Sequence, residues 1–314
     1  MGAIAATRWW RTTSRRPARD DDDGRPGATG PAPVAITHMR GADLGWAEGI
    51  TAGEGWGFVR SDFRRILDHT PGGSFVAWKG PLRVGMLTTM CHGRTCWIGN
   101  VVIAAGHRGQ GIGGRLVRAA LGFSAGRGMR RTALLARERL AGFYSALGFR
   151  RDARYIGLGG VPRAAAACPE VVPVTPALLA EALVIDREAC DEERRRLLQR
   201  LGRDFGRYFL VFVEGGRALG FIVGKPGRGL VDVGPWVAAR GRPDVAEMLF
   251  RALAARAGKR LEVYVPARHR GVLAMLEGMG IQRVATFIEM RRGGRRRRRS
   301  PSFDMLAVAG LEKG

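Results

Sequence analysis

The chain has little lysine, cysteine, histidine or tyrosine, and no long apolar run. Its 314 residues include four cysteines (Cys91, Cys96, Cys168, Cys190) and five histidines. Cys91 and Cys96 have zinc-like spacing but no second pair or histidine cluster of matching form, so no metal site is expected. Four cysteines in a chain this long are also too few for a disulfide scaffold; they read as buried thiols of a reducing compartment. A Cys91–Cys96 disulfide across a hairpin is the alternative that the spacing leaves open. No stretch of eighteen apolar residues occurs, so no membrane-spanning helix is expected. The N-terminal residues lack the apolar core of a secretory signal, and Ala6 stands where a myristoylation motif needs Ser or Thr. A cytoplasmic location is therefore expected.

Acidic residues are scarce as well. Lys and Arg number 52 against 28 Asp and Glu, a formal charge of +24, which invites a nucleic-acid reading. The excess is spread out: the last 24 residues carry a net +6 and residues 1–33 a net +2, leaving about +16 on the remainder. With only four lysines beside abundant Ala and Gly, the pattern fits an Arg-rich base composition as well as a polyanion ligand. Nucleic-acid binding is possible but not favoured. Length and a 46% hydrophobic content point to two globular domains.

The organising stretch is Val101 to Leu121. The apolar β-branched run Val101-Val102-Ile103 leads into a turn holding Gly109, Gly111 and Gly113, and an alternating apolar and basic segment with helical spacing follows. Strand, glycine loop and helix together aim backbone N–H groups and the positive end of a helix at one place, a cradle for an anion such as a pyrophosphate. The loop is not a Walker A motif, because no Lys-Ser or Lys-Thr follows, and its glycine order is not that of a dinucleotide fingerprint.

Arg108-Gly109-Gln110-Gly111-Ile112-Gly113 resembles the R/Q-x-x-G-x-G/A pyrophosphate loop of the GNAT superfamily of acetyl-CoA-dependent N-acetyltransferases. Phe143-Tyr144-Ser145-Ala146-Leu147-Gly148-Phe149 is similar to that family's closing motif. The resemblance implies acetyl-CoA as co-substrate, bound through Val101, Ile103, Arg108, Gly109, Gln110, Gly111, Ile112 and Gly113. It implies no metal. It also implies that Tyr144 lies near the cofactor sulfur, where it could protonate the departing thiolate. The acceptor would be a small-molecule or protein amine, with Trp56 and Phe63 on the helices after the first strand, and Trp236 further on, as candidates for its wall. Asp232 and Tyr264 could face the same cleft. Many relatives carry a glutamate base on the strand before the loop. Here Gly99 and Asn100 occupy that place, which leaves Glu54, Asp62, His92, Glu138, a water relay or no dedicated base.

The pattern then restarts. SFVAWKGPLRVGMLTT is echoed by YFLVFVEGGRALGFIVG, and Tyr144 to Phe149 by Leu276 to Ile281. Gly85 and Gly148 are 63 residues apart, Gly220 and Gly280 60 apart, which suggests a second copy of one fold. In that copy Arg240-Gly241-Arg242-Pro243-Asp244 replaces the glycine loop, and Ala274 or a neighbour stands in place of the tyrosine. The expected fold class is α/β (α+β): two GNAT folds in tandem, each a mixed, mostly antiparallel sheet flanked by helices. The expected organisation is a disordered tail (1–33), a catalytic domain (34–160), a linker (161–172), a degenerate GNAT-like domain (173–293) and a basic tail (294–314), with Arg295 to Arg299 as a solvated run.

Overall fold

The computed structural model describes residues 33–163, 168–190, 192–294 and 302–311. The expected N-terminal tail up to residue 32, and Arg295 to Arg299, lie outside the described residues.

Two runs of elements follow the same order. The first is β1 (Val34–His38), α1 (Leu44–Gly53), α2 (Arg60–His69), β2 (Phe75–Lys79), β3 (Leu82–His92), β4 (Thr95–Ile103), α3 (Ile112–Gly126), β5 (Arg131–Arg137), α4 (Ala141–Ala146) and β6 (Arg150–Gly160). The second is β7 (Val171–Pro173), α5 (Pro176–Ala189), α6 (Arg195–Phe205), β8 (Phe209–Glu214), β9 (Arg217–Pro226), β10 (Val231–Ala239), α7 (Pro243–Ala257), β11 (Leu261–Pro266), α8 (Arg270–Gly278) and β12 (Gln282–Gly293). One further strand, β13 (Phe303–Ala307), follows. The repeat extends to backbone detail: Gly148 and Gly280, which end the α4 and α8 turns, have φ of 85° and 86°, a left-handed conformation that glycine adopts without steric cost.

The strands form a single sheet in the order β1-β2-β3-β4-β5-β12-β6-β11-β10-β9-β8-β7, with β13 beside β10. All pairs are antiparallel except β4–β5 and β10–β11. The order shows that the two halves exchange their last strands. β12, from the second half, pairs with β5 of the first, Ile288 opposite Ala136 and Met290 opposite Leu134. β6, from the first half, pairs with β11 of the second, Ile156 opposite Val265 and Leu158 opposite Val263. Ile288 and Met290 therefore complete the core under α3, while Ile156 and Leu158 complete the core under α7. The boundaries 34–160 and 173–293 describe two runs of sequence but not two separate bodies.

The helices add to this union. Leu44, Ala47, Phe63 and Ile66 of α1 and α2 share a core with Ala182, Ile185, Leu197, Leu198 and Leu201 of α5 and α6. At its edge Arg65 approaches Asp204 at 3.8 Å and lies over the Phe205 ring, while Arg200 pairs with Asp68 at 3.6 Å. Two expectations need correction. The segment read as a linker ends in a strand, since Val171–Pro173 pairs with Phe212–Leu210. The segment read as a basic tail contains β13, and Met305 to Ala309 are buried; apolar burial overrides the charge of its neighbours.

Because each half is completed by the other's strand, thermal unfolding is expected to be one cooperative transition, coincident by tryptophan fluorescence and far-ultraviolet circular dichroism. Two resolved steps would contradict the exchange. A second expectation concerns His69, at the end of α2, whose Nε2 lies 3.2 Å from His92 Nδ1. Burial lowers its pKa to about 4, with Arg196 and Arg200 adding to the effect and a hydrogen bond to the Cys91 carbonyl opposing it. The unfolded imidazole takes its proton near pH 6.5 and the folded one only near 4. Stability from this group is thus full above pH 6.5 and lost as the pH falls towards 4. The unfolding free energy from urea titration should drop by on the order of 2 kcal/mol between pH 7 and pH 4.5, and by less in a His69→Gln variant.

Candidate active site

The parallel pairing of β4 with β5 is short. Thr95 to Ile98 pair with Arg131 to Leu134 and the ladder then stops. Beyond it β5 keeps only the pairing with β12 that runs along its other edge from Arg131 to Arg137, while β4 stays with β3, with Val102 opposite Met86 and Ile103 opposite Gly85. A V-shaped gap opens between β4 and β5. A register shift in the β3–β4 ladder marks where it starts, and Asn100 there has φ of 51°, held by a hydrogen bond from its Nδ2 to Thr88 Oγ1 at 3.1 Å. The Ala104 N–H donates to Val84 O of β3. Antiparallel strands alternate the direction of their backbone groups, so those of Val101 and Ile103 point away from β3 and into the V. The Ile103 carbonyl confirms this by accepting a hydrogen bond from Arg108 Nε at 2.9 Å.

At the mouth of the V the chain turns into α3. Gly109 and Gly111 have φ of 78° and 74°, and Gly111 is the N-cap of the helix. No atom lies within 4 Å of the place a Cβ would take at either residue. The space over the loop is therefore open, while the first N–H groups of α3 have no partners within the helix. Ile112 turns its side chain into the core, leaving its backbone to the loop. Gln110 is exposed, accepting a hydrogen bond from Lys79 Nζ at 3.4 Å, and Arg108 is paired with Glu54. Of the eight residues expected to hold the cofactor, Val101 and Ile103 are thus on β4, Arg108 to Gly111 on the loop that follows it, and Ile112 and Gly113 in the first turn of α3.

α4 borders this loop. The Phe143 ring comes within 3.4 Å of where a Gly113 Cβ would stand, and Tyr144 packs edge-on to Phe143 and Phe149, with ring centroids 4.9 and 6.0 Å apart. Tyr144 is 6% exposed, and burial pushes its pKa up to about 12. The phenol keeps its proton at neutral pH and is chemically a donor.

The acceptor candidates fare differently. Trp56 is half-buried against the core shared by the two halves. Phe63 is 0% exposed, stacked on Phe58 at 5.5 Å, and Trp236 is 0% exposed against Phe250 at 5.4 Å. Both are core residues that no acceptor can reach, so their expected place in the wall is withdrawn. Tyr264 packs against Phe287, and Asp232 pairs with Lys225 at 2.7 Å.

Each acid considered as a base has a structural partner: Glu54 holds Arg108, Asp62 caps α2 by accepting from the Val59 N–H at 2.8 Å, and Glu138 meets Arg154 at 3.2 Å. His92 is buried beside His69. The sequence reading missed four buried carboxylates, two of which, Asp43 and Asp186, are paired with Arg83 and Arg194. Glu192 accepts from Trp97 Nε1 at 3.0 Å, and Glu289 on β12 accepts from Tyr155 Oη at 3.3 Å and Arg291 Nε at 2.7 Å. A signal for Glu289 existed: it interrupts the apolar run Phe287-Ile288-Glu289-Met290.

The second half repeats the V and fills it. β10 pairs with β11 only over Val231 to Val233; β13 then takes the open side of β10, from Trp236 to Ala239. Val308 N reaches across to Tyr264 O of β11 at 3.4 Å. Gly234 permits this, since a Cβ there would stand 1.9 Å from Val308 O. Pro243 occupies the first turn of α7, and Arg242 before it is tied to Glu214 and Asp244. An acid thus stands where the first half presents bare N–H groups. The residue corresponding to Tyr144, four before the turn glycine, is the buried Leu276 and not Ala274.

Comparison with known proteins agrees with this geometry. A GNAT acetyltransferase domain matches residues 71–151, and a second, of a different GNAT type, matches residues 182–302. No curated protein matches the sequence. A crystal structure from Pyrococcus horikoshii, assigned as an acetyltransferase, aligns over 90% of this chain and 96% of its own, with 21% identity and a TM-score of 0.75. A GCN5-related N-acetyltransferase from Sphaerobacter thermophilus covers 90% of this chain and 100% of its own at 14% identity and a TM-score of 0.64. A tandem GNAT protein of the clavulanic acid pathway covers 83% and 98% at 14% identity and a TM-score of 0.59. With two such domains in succession, the chain belongs to the GNAT acetyltransferases as a tandem member.

Proposed function

We propose that the first half of the chain is the active one, transferring the acetyl group of acetyl-CoA to a primary amine of a small molecule or a protein. The observation that carries this reading is the V between β4 and β5, open along Val101 to Ile103 and ending at the left-handed Gly109 and Gly111. A pyrophosphate fits this loop because unpaired N–H groups and the helix dipole both favour an anion there. Val101 and Ile103 would pair with the amide groups of an extended arm as a neighbouring strand does, which requires Arg108 to share or release the Ile103 carbonyl.

Acetyl-CoA supplies an activated thioester. The residues of the chain do the rest. Backbone N–H groups near the Asn100 bulge polarise the carbonyl as the amine attacks, and Tyr144 gives its proton to the leaving sulfur. With its pKa raised to about 12, the phenol still holds its proton near pH 10, where an ordinary primary amine is becoming neutral. The second half, its V filled by β13 and its loop closed by Asp244, is proposed to support the first half rather than to catalyse.

Calorimetric titration of acetyl-CoA at elevated salt should saturate at one site per chain. A Gly111→Glu, Gly113→Glu variant that keeps its circular dichroism should lose this binding. A folded wild type that does not bind would overturn the reading and turn attention to the basic surface. Once an acceptor is found, Tyr144→Phe should lower kcat by roughly 10²-fold or more with acetyl-CoA affinity little changed. The wild-type rate should show no loss on the alkaline side up to pH 10, because the proton on Tyr144 is retained there.

A further inference from the structure

The far end of the β3–β4 hairpin carries two thiols that the acetyl-transfer site does not use. The hairpin closes through a two-residue turn, Gly93-Arg94, and His92 faces Thr95 next to it. In such a hairpin the closing pair is the hydrogen-bonded one, and pairs alternate from there. The next pair is Cys91 and Cys96, directly opposite each other. It falls at a non-hydrogen-bonded position, where α-carbons stand about 4.5 Å apart and side chains are closest. That spacing is within the range a disulfide spans, about 4.4 to 6.8 Å, without any movement of the backbone.

The two sulfurs are reduced in this structure. Cys91 is half-exposed, whereas Cys96 is fully buried. The other two thiols differ in setting: Cys168 hydrogen-bonds to Glu170, and Cys190 to Asp186 within α5 and the turn after it.

We propose that Cys91 and Cys96 form a reversible cross-strand disulfide, a thiol modification site that reacts with small disulfides such as oxidised glutathione. The exposed Cys91 reacts first. It gives its proton to water, its sulfur attacks one glutathione sulfur, and the other glutathione leaves as a thiolate that takes a proton from water. Cys96 then attacks the Cys91 sulfur, the second glutathione leaves, and it collects the proton that Cys96 held. Two protein thiols are oxidised and one glutathione disulfide is reduced to two thiols. The second step needs no movement of the strands, because Cys96 already stands directly opposite Cys91.

The bridge would lie at a junction. The Cys91 N–H donates to Thr70 Oγ1, just past α2, and the turn residue Gly93 sits against Glu193 before α6. A staple here fixes the hairpin tip that both halves touch.

The test is to incubate the full chain with oxidised glutathione, block free thiols, digest with trypsin and analyse by mass spectrometry. Cleavage after Arg94 separates the two cysteines, so the bridge joins residues 84–94 to residues 95–108 in one species that dithiothreitol resolves. The intact protein should lose the mass of two hydrogen atoms and its thermal midpoint should rise by a few degrees. A Cys168→Ser, Cys190→Ser variant should behave like the wild type, and a Cys91→Ser variant should give no bridge. Glutathione persisting on Cys91 with no linked peptide would overturn the proposal, as would a bridge that involves Cys168 or Cys190.

Discussion

The structure depends on the exchange of β6 and β12. A strand buried on both faces must satisfy its backbone groups on two sides and its side chains on two faces, and each of these strands does so largely with the other half of the chain. β12 lies between β5 and β6, and β6 between β12 and β11. Neither half could withdraw its last strand without leaving a row of unpaired N–H and C=O groups in the middle of a sheet, at a cost far above that of losing any single contact. The shared core of α1, α2, α5 and α6 then follows, because the continuous sheet sets the helices of both halves side by side.

The exchange also shapes the half that carries the open V. β5 diverges from β4 after Leu134 while its other edge stays paired with β12 along its whole length, from Arg131 to Arg137. The strand that forms one wall of the V is thus held from behind by the second half of the chain. β12 also brings Glu289 to face Leu135, the first β5 residue beyond the ladder, so a charged group of the second half is set beside the site of the first. The second half thus has a structural role whatever its chemistry: it supplies the strand that pairs with β5.

Much of this was legible in the sequence. The glycine loop, the tyrosine helix and the internal repeat are local patterns, set by left-handed backbone at Gly109, Gly111 and Gly148 and by alternation along β2, β3, β8 and β9; local patterns survive any arrangement of the two halves. What was not legible is which copy of a strand lies beside which. β6 and β12 are both amphipathic and both follow a short helix and a glycine turn, so either would satisfy β5 by pattern alone. Phe63 and Trp236 were misread for a related reason: an aromatic on a helix or strand looks the same whether the face it occupies meets a cleft or a neighbouring helix. α5 and α6 cover the face on which Phe63 lies, and they come from more than a hundred residues further along the chain.

β13 extends the argument to the second V. A splayed pair of strands presents open N–H and C=O groups, and these need a partner whether or not a ligand is available. In the first half the opening ends at a loop of bare N–H groups, which suits a ligand with an anionic end. In the second, Asp244 and the Arg242 pair remove the anion's place, and the strand groups are satisfied by Phe303 to Ala307 instead. Arg240 helps to hold it, its Nη2 donating to Asp304 Oδ1 at 2.9 Å, and Lys225 meets the Ala309 carbonyl beyond it. An apolar peptide needs no phosphate cradle, because burial of Met305, Leu306 and Ala307 supplies the driving force that a pyrophosphate would otherwise provide. An occupied loop and a captured strand thus go together in the second half, and its fold is intact with both.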